Sequence, residues 1–73
     1  MSYMNYSKFW LEFKQWALVT DEENLPYKLK TIVRLIRQNP DISLVKLAGY
    51  LEADALYLAR YLHSIYKELT EAE

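Results

Sequence analysis

The sequence predicts an all-α fold, a small bundle of three to four helices, and three observations carry that prediction. Apolar residues recur at helical spacing in three separate stretches, the polar run Thr20–Asn24 and the pair Asn39–Pro40 stand between those stretches, and a chain of 73 residues has room for one small core. Residues 1–73 are therefore expected to form one domain, frayed only at the ends Met1–Tyr3 and Thr70–Glu73.

The first helix is expected to start near Asn5 or Ser7, either of which can accept from free backbone N–H groups. Phe9, Trp10, Phe13, Trp16 and Ala17 follow on one broad apolar face, with Lys8, Glu12 and Gln15 elsewhere. A core is the plain reading of that face. Its aromatic bulk also suits a partner surface, which makes Trp10 and Trp16 candidate interface residues.

Pro26 fits the first turn of a second helix, where its missing N–H is no loss, with Asn24 as the cap and Asp21, Glu22 and Glu23 beside the positive end of the helix dipole. This helix should run to about Gln38, with Leu29, Ile32, Val33 and Ile36 inward and Lys28, Lys30, Arg34 and Arg37 outward. Asn39 and Pro40 end it.

Next comes the phrase Asn39-Pro40-Asp41-Ile42-Ser43, with Ser43 as a cap, then the short helix Leu44–Leu51 with Ala48 in its middle. Glu52 stands in the tight turn that follows, a place that favours glycine because one residue takes positive φ. Asp54 is expected to cap the last helix, which should reach about Leu69. A rival reading joins these pieces: Leu44, Leu51, Ala55, Leu58, Leu62, Ile65 and Leu69 would share one seam of an unbroken helix over 43–70. At about 40 Å such a helix would leave half its seam uncovered in so small a monomer, which favours the broken form.

Over residues 29–66 this pattern resembles the helix-turn-helix superfamily, including its winged-helix branch, with the unit itself spanning about 25–69. In that resemblance Ala48 is the small residue where the next helix crosses at close range, and Leu47, Leu51, Leu58 and Tyr61 hold the two helices together. No strand pair follows the last helix, so a wing is absent or reduced. The resemblance implies transcription regulation, with the last helix as the one that would face the major groove.

Charge pulls against that role. The net charge is −1, so no overall positive field gathers phosphates. Arg60, His63 and Lys67 are the cations of the presumed recognition helix, with Lys46 and Arg34 as phosphate contacts. Tyr50, Tyr57 and Tyr61 line one side of the C-terminal region, where a large apolar body with a polar tip serves a core edge or an interface. Two functional classes result. The first is a small transcription regulator acting mainly by protein contact, with RNA polymerase, another regulator or a second copy as partner. The second is a sequence-specific DNA-binding repressor or activator acting as a dimer. The size and aromatic content suit a phage-like modulator of host transcription.

Catalytic and cofactor chemistry finds little footing. The chain has no cysteine, one histidine and one glycine, so neither a thiolate metal site nor a glycine-rich phosphate loop is expected, and no cofactor or small-molecule substrate is implied. His63 and Ser64 are sequence neighbours that point about 100° apart on a helix and do not pair as nucleophile and base. No apolar run suits a signal peptide or a membrane span, and the expectation is a cytoplasmic protein that is not an enzyme.

Overall fold

The computed structural model describes residues 6–71. Four helices carry the fold: α1 (Tyr6–Val19), α2 (Tyr27–Gln38), α3 (Leu44–Tyr50) and α4 (Ala55–Glu71), with a single 3₁₀ turn at Glu22–Asn24 between α1 and α2. No strand occurs among the described residues, and the fold is the expected small all-α bundle. One core runs through it, with Phe13 of α1, Leu29, Val33 and Ile36 of α2, Leu47 of α3 and Leu62 of α4 fully buried.

The α1 helix begins at Tyr6, which puts Ser7 inside the helix; Asn5 lies outside the described residues. At the other end of the chain, α4 runs through Leu69 and Thr70 to Glu71, so Thr70 and Glu71 are helical rather than frayed, and residues 72–73 lie outside the described residues. Tyr3 and the rest of the N-terminal segment 1–5 lie outside the described residues.

The α1–α2 joint differs from expectation in a specific way. Asn24 does not cap α2. It ends the 3₁₀ turn, which Asp21 caps through a 3.1 Å hydrogen bond from the Glu23 N–H, and Pro26 is itself the residue before α2. Asp21, whose short carboxylate reaches the N–H two residues on, caps this tight extra turn instead.

The α3–α4 region takes the broken form. Ser43 accepts from the Lys46 N–H at 3.1 Å and starts α3. Leu51 closes α3, Glu52 follows at φ 55°, and the Ala53 N–H returns to the Ala48 carbonyl at 2.9 Å while the Glu52 N–H reaches that of Gly49 at 3.2 Å. That pair of bonds is a Schellman ending, which satisfies carbonyls that would be orphaned when α3 stops. Asp54 then accepts from the Tyr57 N–H at 3.0 Å and starts α4. The turn ends one helix and caps the next within residues 51–54, which is why no continuous seam forms. Ala48 is 2% exposed and belongs to the core.

Candidate functional site

The α1 aromatics turn inward. Phe9, Trp10 and Phe13 are buried, and the part-buried Trp16 meets Tyr66 of α4 edge-on, with ring centroids 5.7 Å apart. Tyr66 also meets Phe9 at 5.7 Å and Phe13 at 5.8 Å, which makes it the hub of the α1–α4 seam. Sequence reasoning passed Tyr66 over, although it stands four residues after Leu62 on the same helix face. Trp10 belongs to the core rather than to an interface, because its indole N–H is engaged internally with the Ile42 carbonyl at 3.0 Å. Trp16 packs against Phe13 and Tyr66 and is part-buried.

The five cations singled out for DNA lie on three helices, Arg34 on α2, Lys46 on α3 and Arg60, His63 and Lys67 on α4. Arg34 is held by Glu22, with a guanidinium nitrogen 2.8 Å from the carboxylate, and so is occupied at the α1–α2 joint. His63 is part-buried and stands edge-on to Phe9 of α1 at 5.2 Å. Together with Lys67 it lines a shallow trough that Lys8 and Glu12 of α1 complete, so this part of the basic stripe runs beside α1. Arg60 on α4 and Lys46 on α3 are exposed.

A groove between α2 and α4 carries part of the exposed apolar surface. Its walls are Tyr27, Thr31 and Ile32 on one side and Leu51, Tyr57 and Tyr61 on the other, enclosing about 320 Å³. Tyr27 is 84% exposed and Tyr57 67%, so the lips are aromatic and wet while the floor reaches the buried Ile32 and Leu58. Lys28 stands on the α2 wall and is the one charged lining residue. Of the three tyrosines first singled out, Tyr57 and Tyr61 line this groove, while Tyr50 is exposed at the end of α3. Tyr27 was overlooked. Its signal was an aromatic residue off the apolar face of α2, two positions from Leu29.

Among the described residues, no group of three or more His, Cys, Asp or Glu side chains is placed to hold a metal ion, and no helix is long and apolar enough to cross a membrane. No protein-family model, curated protein or solved structure matches the chain.

Proposed function

We propose that this chain is a small helix-turn-helix-like regulator of transcription that acts mainly by protein–protein contact. The tyrosine-lipped groove carries the reading: Tyr27 and Tyr57 are 84% and 67% exposed around a concavity, the arrangement of aromatic anchors beside a pocket that protein interfaces use. Transcription as the setting comes from the resemblance of residues 29–66 to the helix-turn-helix superfamily, and cytoplasm is the matching compartment.

DNA binding as a dimer is the second reading, favoured by the exposed Arg60 and Lys46 on the two helices that flank the turn. Against it stand the Arg34–Glu22 pair, His63 packed on Phe9, and the Asp54 carboxylate at the end of α4 that would enter the groove first.

An amide NMR titration with random-sequence duplex DNA at low salt separates the two. Protein contact predicts no shifts clustered on residues 54–67. Shifts there that fade as salt rises would replace this reading with the DNA-binding one.

A further inference from the structure

We infer that the groove between α2 and α4 takes an acidic amphipathic segment of a partner protein, which sets an apolar side chain in the hole and a carboxylate against Lys28. This deepens the protein-contact reading and rests on it. The shape of the hole gives the apolar half. Its floor is the buried Ile32 and Leu58, Leu51 and Tyr61 stand beside them, and a concavity of about 320 Å³ takes an inserted side chain rather than a flat contact.

Charge gives the acidic half. Lys28 is the one charged residue of the lining, and no carboxylate among the described residues bridges it. The arginines further along the same helix, Arg34 and Arg37, are both held by Glu22. On the α2 wall the Thr31 hydroxyl already donates to the Tyr27 carbonyl of its own helix at 3.2 Å, which leaves the Lys28 ammonium as the strong donor there. Asp54, which follows the lining residue Ala53, is turned back onto the Tyr57 N–H at 3.0 Å as the cap of α4.

A segment that covers the groove draws the Lys28 ammonium out of water. A neutral segment leaves that charge without compensation, and a basic one adds repulsion. A carboxylate beside the inserted side chain offsets the loss with a charge-assisted hydrogen bond. Such a charge at the rim sets specificity and the rate of encounter, while the buried anchor supplies most of the affinity.

Selection of a displayed library of random peptides on the purified chain tests the inference. The enriched peptides should pair leucine or an aromatic residue with aspartate or glutamate, and their synthetic forms should bind less tightly as salt is added. Lys28→Glu should weaken them by about tenfold or more, and selection on that variant should enrich lysine and arginine in their place. Tyr27→Ala, at a position 84% exposed and outside the core, should weaken them with unchanged helix content by circular dichroism. Peptides without an acidic bias, peptides that bind Lys28→Glu or Tyr27→Ala as tightly as wild type, or no enrichment at all would overturn the acidic segment as occupant. A concentration-dependent dimer in sedimentation equilibrium that Tyr27→Ala abolishes would give the groove to a second copy instead. These failures are distinct from failure of the protein-contact reading, which salt-sensitive DNA shifts on residues 54–67 would report.

Discussion

The indole nitrogen of Trp10 lies 3.0 Å from the carbonyl oxygen of Ile42 and donates to it in the interior. Lys14, one turn further along α1, reaches the same oxygen at 3.2 Å and lies over the Trp10 ring, 5.8 Å from its centre. The α1 helix thus grips the segment between α2 and α3, and Ile42, 2% exposed, seals the contact. Trp10→Phe keeps an aromatic ring but removes the donor. It should destabilise the fold by about 2 kcal/mol, the usual cost of leaving a buried acceptor short of a partner together with the lost ring volume. Urea denaturation followed by circular dichroism measures it, and a loss under about 0.5 kcal/mol would show that Lys14 alone satisfies the oxygen.

Glu52 at φ 55° supplies a second prediction. A side chain in the left-handed region carries strain on the order of 1 kcal/mol that glycine does not. Glu52→Gly should therefore stabilise the chain by about 1 kcal/mol, and Glu52→Val, with its branched Cβ, should destabilise it by more than about 1 kcal/mol. Thermal melts read both changes, and equal melting temperatures for all three chains would contradict the strain.

This turn also shows how far the sequence could be read. The break between α3 and α4 was legible because an unbroken helix over 43–70 would leave half its seam uncovered in so small a monomer, and because Asp54 stood ready to cap a new helix. The α1–α2 joint was only half legible: its polarity marked a break, but Asp21 and Asn24 are both residue types that cap, and the pattern does not say that a 3₁₀ turn capped by Asp21 precedes α2. The groove was least legible. Tyr57 and Tyr61 stood out by their spacing, whereas Tyr27 and Lys28 are outside the apolar pattern of α2 and become neighbours of α4 only in three dimensions.

Ala48 and Gly49 are adjacent in α3 and should respond oppositely to added volume. A Cβ built on Gly49 meets nothing within 4 Å, and its φ is not positive. Gly49→Ala should then stabilise α3 by roughly 0.5–1 kcal/mol through reduced backbone freedom in the unfolded chain. Ala48, 2% exposed and part of the core, has no such room, and Ala48→Leu should destabilise by about 1–3 kcal/mol through overpacking. Chemical denaturation of the two variants side by side tests the crossing: if Ala48→Leu is neutral, α3 and α4 do not approach closely there.

The last prediction concerns acid. Glu22 sits between two arginines: Arg34 donates to Oε1 at 2.9 Å and Arg37 to Oε2 at 3.2 Å. Arg37 also donates to the Ala17 carbonyl at 2.9 Å and to the Thr20 carbonyl, so one guanidinium ties the C-terminal end of α1 to α2 and to the 3₁₀ turn. The hydrogen bond from Arg34, helped by the positive charges of Arg34, Arg37 and Lys30, holds the Glu22 carboxyl below its ordinary value of 4.5. A carboxyl whose pKa is lower folded than unfolded binds fewer protons when folded. Its stabilisation is thus fully present above the unfolded pKa and is lost as the pH falls through the folded one. Wild-type stability should decline as the solution is acidified below about 4.5, and Glu22→Gln should show a shallower decline while starting from a lower value at neutral pH. Because the carboxylate is partly solvent-exposed, added salt should weaken the difference between the two chains. Urea midpoints at several pH values, at low and high salt, provide the measurement. Parallel pH profiles for wild type and Glu22→Gln would mean that Arg37 holds the end of α1 through the Ala17 and Thr20 carbonyls alone.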